Sequence, residues 1–158
     1  MALPSLTVFT YAVGKIVLFS ANAATVTGEQ TLRDAKFNKI AIADPATAPY
    51  GTAAVEAMKA LGVYDALIGK IVQGSNIAQT FQFVDTGNAE LGFVALSQVI
   101  TIQGGSKWIV PTNLYSPIRQ DAVLLRNGAN NEVAKAFLGF MKGADATAVI
   151  ERFGYGTK

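Results

Sequence analysis

Two short stretches, Pro49-Tyr50-Gly51-Thr52 and Gly74-Ser75-Asn76-Ile77, have the composition of helix openings. Each follows strand-like or loop residues and runs into a helical stretch. At a helix start the first backbone N–H groups have no partner inside the helix, and the aligned peptide dipoles place roughly half a positive charge there. Two such openings aimed at one cleft would hold a small anion without any charged side chain. The candidate anion-binding residues are therefore Tyr50, Gly51, Asn76 and Ile77. Each opening also has an ordinary reading: Tyr50-Gly51 as a turn into a helix, and Asn76 or Ser75 as an N-cap.

Composition narrows the chemistry further. The chain has 158 residues, enough for one domain or two small lobes with a real core. Half of them, 51%, are hydrophobic and 15% are charged, and the mean hydropathy is +0.32, so the chain is expected to be globular. It contains no His and no Cys. Ser-His-Asp and Cys-His catalysis are thereby excluded, as are disulfides and cysteine-based metal sites. The 11 acidic residues fall mostly where turns and helices explain them, so neither an enzyme nor a resident cofactor or metal is expected. Asp44, before Pro45 at a strand end, reads as a turn-former and not as a metal ligand. A net charge of +2 with scattered Lys and Arg gives no reason to expect nucleic acid. No apolar run reaches the roughly 18–20 residues of a membrane helix. Lys15, Ile16-Val17-Leu18-Phe19 and Ala21-Asn22-Ala23 imitate a short export signal, but the apolar stretch is too short, and a buried strand is expected there.

The elements that position the two openings follow from periodicity. Residues 9–21 read as one long strand or two joined at Gly14. A short helix is expected over 31–37, then a strand over 39–43 that ends at Asp44-Pro45. Residues 52–61 have helical spacing and stop at Gly62. A helical turn over 64–67, a brief strand over 70–72 and a helix over 76–86 come next. Further strands are expected over 90–95, 108–111 and 119–125, with helices over 97–100, 131–141 and 145–153. Alternating strands and helices predict an α/β fold, a parallel or mixed sheet flanked by helices. Phe93, Trp108 and Tyr64 are expected in the core, Glu90 in solvent, and Arg119 and Asp121 as a structural ion pair.

Several phrases, in this order, resemble the periplasmic molybdate-binding proteins of bacterial molybdate ABC importers. They include Phe9-Thr10-Tyr11-Ala12-Val13-Gly14-Lys15, Ala43-Asp44-Pro45 with Ala48-Pro49-Tyr50-Gly51, and Leu61-Gly62-Val63-Tyr64-Asp65-Ala66-Leu67. Gln73-Gly74-Ser75-Asn76-Ile77-Ala78, Thr86-Gly87-Asn88-Ala89-Glu90-Leu91-Gly92-Phe93, Pro117-Ile118-Arg119-Gln120-Asp121-Ala122 and Phe153-Gly154-Tyr155-Gly156 complete the set.

The resemblance implies a two-lobed binding protein that closes on its ligand by a hinge. It implies an intact lobe over residues 10–115, the C-terminal part of an incomplete lobe over 116–158, and a remnant or linker over 1–9. It carries the anion-binding amides onto Tyr50 and Ile77. The tyrosyl contact of some members falls on Ala95, so that hydroxyl is absent, and Asn76 is the neighbouring donor that would compensate. The family's lobe-one hydroxyls match no residue here. The implied ligand is molybdate or tungstate, the implied partner the membrane permease of an ABC importer, and the implied compartment the periplasm, with no signal peptide in this chain. The alternative expectation is a module that no longer binds anions and forms a homodimer through exposed lobe surface.

Overall fold

Unbroken aliphatic runs form the central strands, because a strand buried on both faces needs no polar alternation. The computed structural model describes residues 8–157. In chain order its elements are β1 (Val8–Gly14), β2 (Ile16–Ser20), α1 (Gln30–Asp34), β3 (Ile40–Ala43), α2 (Pro49–Ala60), α3 (Tyr64–Leu67), β4 (Ile71–Gly74), α4 (Ile77–Asp85), β5 (Leu91–Ala95), α5 (Leu96–Val99), β6 (Ser106–Ile109), β7 (Ile118–Val123), α6 (Glu132–Met141) and α7 (Ala144–Arg152). The stretch 9–21 is thus two strands, broken at Lys15, and they enter different sheets. The helix expected over 31–37 ends early because Ala35 turns left-handed (φ 50°) and closes it onto the Thr31 carbonyl.

Five strands form a mixed sheet in the order β4-β3-β5-β2-β6. Strand β3 runs parallel to β4 and β5, whereas β2 is antiparallel to β5 and β6. Every residue of β2, β3 and β5 is buried. One face packs Ile16, Leu18, Ile40, Ile42, Leu91 and Phe93 against Ala53, Ala54, Ala57 and Met58 of α2. The other packs Val17, Phe19, Ala41 and Val94 against Val84 of α4 and Val99 of α5. Phe93 is core as expected, and Trp108 and Tyr64 lie partly buried against it. The architecture is therefore α/β, with helices on both faces of a mixed sheet.

The chain divides into two compact units, Lys15–Ile118 and a discontinuous one of residues 8–14 with 119–157. The first holds the five-stranded sheet and both apolar clusters. In the second, β1 pairs with β7 as a two-stranded sheet, and Val13 exchanges backbone hydrogen bonds of 2.6 and 2.8 Å with Gly156. Residues 10–14, expected with the larger lobe, group with the C-terminal segment because their strand partner is β7. Of the remnant expected over 1–9, residues 1–7 lie outside the described residues. Among the described residues no helix is long and apolar enough to cross a membrane.

Two glycines set how closely helices approach the carboxyl edge of the sheet. A Cβ on Gly51 would stand 2.0 Å from the Ala43 carbonyl oxygen, and one on Gly74 would stand 2.5 Å from Thr80 Oγ1. Only a residue without a side chain lets α2 and α4 rest this tightly against β3 and β4. Gly51→Ala is expected to destabilise the protein by about 1–3 kcal/mol, the overpacking range, because backbone and not a flexible side chain must move. Gly69, with open space around its missing Cβ, is the control: Gly69→Ala is expected to leave the urea midpoint nearly unchanged.

Glu90 is exposed, as expected, and from the surface it also holds the loop that enters β3. Its Oε1 accepts from Asn38 N and Nδ2 at 3.0 and 3.1 Å, and its Oε2 accepts from Lys39 N at 2.9 Å. Desolvation works to raise the Glu90 pKa, but these amide hydrogen bonds outweigh it and hold the carboxyl below its ordinary value. A depressed folded-state pKa contributes stability above the unfolded value, about 4.3, which is lost as the pH falls through the folded value. Glu90→Gln is therefore expected to lower stability at pH 7 and to flatten the decline below about pH 4.3, measured as urea midpoints across pH. A parallel pair of curves for the two proteins would refute this.

Candidate functional site

The register of β3 on β4 pairs Ala43 with Gly74, and the Asp44 amide then donates to the Gly74 carbonyl at 2.8 Å. The two strands therefore end together at one edge. Strand β3 continues through Asp44-Pro45 and a short loop into α2; β4 continues through Ser75 and Asn76 into α4. Neighbouring strands lie about 4.8 Å apart, so the two helices open from adjacent positions. The carboxyl end of β5, at Ala95, joins the same edge, because β5 is parallel to β3. In open α/β sheets this edge is where ligands are held.

Within each opening the residues play different parts. The loop before α2 is an Asp turn: Asp44 Oδ1 accepts from Ala46 N at 2.9 Å, and its carbonyl accepts from Thr47 and Ala48. Asp44 is thus the turn-former expected from the sequence. Pro49 occupies the first helical position, where a missing N–H costs nothing. Tyr50 follows, half-buried, and then Gly51, whose amide donates to the Ala48 carbonyl at 2.9 Å. Gly51, a sequence candidate, thus has its N–H engaged inside the first turn; its structural part is the close approach to Ala43.

The second opening is capped twice. Asn76 Oδ1 accepts from Gln79 N at 2.8 Å, an ordinary N-cap, while Gln79 Oε1 accepts from Ser75 N at 2.7 Å. Asn76 Nδ2 lies 3.4 Å from Ser75 Oγ. The amides of Ile77 and Ala78 precede any carbonyl that α4 itself offers them. Gln98, in α5 just after β5, fixes this opening: its Oε1 accepts from Ala95 N at 3.0 Å and its Nε2 donates to the Ile77 carbonyl at 3.1 Å. Sequence reasoning missed Gln79 and Gln98. Both stand three residues after an N-cap, Asn76 and Ala95, but the reach of Gln98 across 21 residues to Ile77 had no local signal.

The structure thus sets Tyr50, Asn76 and Ile77 at the openings of two helices on adjacent strands. Apart from the Tyr50 phenol, residues 49–52 and 75–78 carry no titratable side chain, and the two helix starts present backbone dipoles at this edge. Ala95, buried at the end of β5, supplies no hydroxyl. A cavity of about 320 Å³ adjoins the outer side of α2, lined among others by Pro45, Pro49, Thr52, Glu56, Ser116 and Pro117. None of Tyr50, Asn76 and Ile77 lines it, and Glu56 on its wall is engaged by Ser116 N and Oγ at 2.7 and 3.2 Å. A cavity walled by a carboxylate is unsuited to an anion. Among the described residues no group of three or more His, Cys, Asp or Glu is placed to hold a metal ion.

Known proteins resemble this chain in sequence and fold. Residues 4–156 match the family model described as bacterial extracellular solute-binding protein. The chain is 52% identical over 150 residues to the molybdate-binding protein ModA of Rhodobacter capsulatus, covering 95% of this chain and 60% of that protein. It is 53% identical over 152 residues to the molybdate-binding protein ModA of Azotobacter vinelandii, covering 94% and 60%. The solved structure of the Azotobacter vinelandii periplasmic molybdate-binding protein superposes with a TM-score of 0.89 at 39% identity, covering 99% of this chain and 70% of that one. The chain thus spans about 60% of the length of these curated relatives. With a family match over nearly its whole length and an α/β fold that presents helix openings at a sheet edge, this chain belongs to the bacterial extracellular solute-binding proteins, a transport family that performs no catalysis.

Proposed function

We propose that the carboxyl edge of β3 and β4 holds one side of a tetrahedral oxyanion, molybdate or the similarly shaped tungstate. The protein of which this edge is part would pass that anion to the permease of an ABC importer from the periplasm. The observation that carries the reading is the Ala43–Gly74 register, which sets the α2 and α4 openings on neighbouring strands. The relatives at 52–53% identity, both named for molybdate binding, support the choice of anion.

The physics favours neutral donors. A dianion leaving water loses a strong hydration shell, and fixed N–H dipoles at two helix ends replace it without introducing a titrating group. A hydrogen bond to a charged group contributes about 1.5–3 kcal/mol net. Four or five are needed to reach micromolar affinity once the cost of association is met. Pro49 has no N–H and the Gly51 amide is already engaged, so the α2 opening contributes chiefly its dipole and Tyr50. The α4 opening contributes Ile77 and Ala78. This edge supplies part of the donor set, and the affinity of these residues alone is correspondingly modest.

Molybdate is expected to raise the melting temperature of the protein, by an amount corresponding to about 2.7 kcal/mol at one hundred times the dissociation constant. No shift at millimolar molybdate would overturn the proposal. The sharper variant is Ile77→Pro. Proline is tolerated at the first helical position, and Asn76 before it is already extended (φ −155°, ψ 174°), so this change deletes one N–H and little else. It is expected to weaken molybdate at least tenfold, with Ile77→Val unchanged, while the ligand-free melting temperature moves little. Equal affinity in the two variants would place the anion elsewhere.

A further inference from the structure

A peptide unit has two polar ends, the carbonyl of one residue and the N–H of the next. Hydrogen bonds taken by the carbonyl polarise the unit and make its N–H a stronger donor. The Ile77 N–H shares its unit with the Asn76 carbonyl, and that carbonyl is loaded twice from one residue. The Thr80 amide donates to it at 3.1 Å and the Thr80 hydroxyl at 2.8 Å. Thr80 lies in α4 with 0% of its surface exposed. Gly74 leaves room for it, since a Cβ there would stand 2.5 Å from the Thr80 Oγ1.

A threonine inside a helix commonly satisfies its hydroxyl on the carbonyl four residues earlier. In mid-helix that bond has little further effect, because the N–H of the same unit is already held by a carbonyl one turn back. At the N-cap the case differs: Asn76 precedes α4, and the helix offers the Ile77 N–H no carbonyl. The following unit is loaded in the same sense from another element. Gln98 Nε2 donates to the Ile77 carbonyl at 3.1 Å, and that unit ends in the Ala78 N–H. Each of the two amides that open α4 thus has a side-chain donor behind it.

We propose that Thr80 is a positioning residue for the bound oxyanion: its hydroxyl, acting through the Asn76 carbonyl, aims the Ile77 N–H and strengthens it as a donor. Thr80 itself touches no anion. The proposal rests on the oxyanion reading above and names a determinant of affinity within it. Burial is what makes the hydroxyl effective, because a donor in low-dielectric surroundings polarises its partner more than a hydrated one. Asn76 is held from its side chain as well, where Oδ1 accepts from Gln79 N at 2.8 Å. With its carbonyl and side chain both fixed, the peptide that carries the Ile77 N–H is oriented before an anion arrives, which lowers the cost of binding.

The test titrates sodium molybdate calorimetrically into the unaltered chain and into Thr80→Ser, Thr80→Val and Thr80→Ala. Thr and Ser have the hydroxyl that Val and Ala lack; Thr and Val have the γ-methyl group that Ser and Ala lack. Affinity is expected to follow the hydroxyl, with Ser close to the unaltered chain and Val and Ala weaker by about three- to tenfold. Urea midpoints are expected to follow the methyl group instead, with Val no lower than Ser. In the ligand-free protein the Ile77 amide proton resonance is expected to move upfield in Val and Ala but not in Ser. The Ala78 resonance, loaded by Gln98, is expected to stay in place in all of them. Should Val crowd Gly74 and fail to fold, the Ser and Ala pair decides alone. Affinity that follows the methyl group and the urea midpoint overturns the proposal, because Thr80 then acts by packing; equal affinity throughout also overturns it. An unaltered chain that does not bind molybdate overturns the oxyanion reading and this proposal together. Binding that Ile77→Pro weakens but loss of the Thr80 hydroxyl does not overturns this proposal alone.

Discussion

The 2.8 Å hydrogen bond from the Asp44 amide to the Gly74 carbonyl extends the β3–β4 ladder one residue past the end of β3. Everything at the candidate site depends on that extension. It makes the two strands finish level, so that α2 and α4 begin beside each other and not staggered along the sheet. The glycines keep the helices there: Gly51 lets α2 lie on the Ala43 carbonyl, and Gly74 lets the first turn of α4 fold back over β4. A side chain at either place would lift one opening away from the other. The backbone geometry that gives the site its positive potential is thus set by where side chains are missing.

Some of this was legible in the residues. Asn76 followed by apolar residues at helical spacing marks the start of α4, and Pro49 marks the start of α2, because capping and the loss of one N–H are local effects. The long aliphatic runs of β2, β3 and β5 announce buried strands for the same reason. What depends on partners distant in sequence was not legible. Gly14 marked a possible joint between β1 and β2, but nothing local shows that they enter different sheets; β2 joins β5 and β6 while β1 joins β7, more than a hundred residues away. Gly51 was read as a donor to ligand, yet its amide closes the first turn and its hydrogen atom in place of a side chain is what packing uses. Glu90 is exposed as read, but its hold on Asn38 and Lys39 was not legible, because those partners lie some fifty residues earlier.

The two units differ in how they meet the cost of ordering a chain. In Lys15–Ile118 the sheet is covered on both faces, and its polar groups are drawn into the structure: Ser20 Oγ donates to the Glu90 carbonyl, and Ser106 Oγ donates to Asn22 while accepting from Val26. Such burial contributes most of the free energy that opposes chain entropy. The smaller unit has charge and aromatic surface where the first has core. Phe137 and Phe140 stack on each other at 6.4 Å in the open, and Lys142 sits 4.3 Å over the Phe9 ring. These contacts are local and partly hydrated, and contacts of that kind hold a unit weakly.

That asymmetry bears on what kind of work the edge performs. A rigid, doubly covered sheet holds the α2 and α4 openings in fixed orientation, so the dipoles need not reorganise when an anion arrives. Reorganisation is what makes water a good solvent for ions and a poor selector among them. On the proposed reading, fixed amides would select by size and shape, because an anion too small would not touch both openings. The chain has no His and no Cys, and the one titratable side chain at the two openings, the Tyr50 phenol, has an ordinary pKa near 10, outside the neutral range. On the proposed reading, binding and release would be governed by how completely the donor set is assembled around the anion, which is the property a carrier needs.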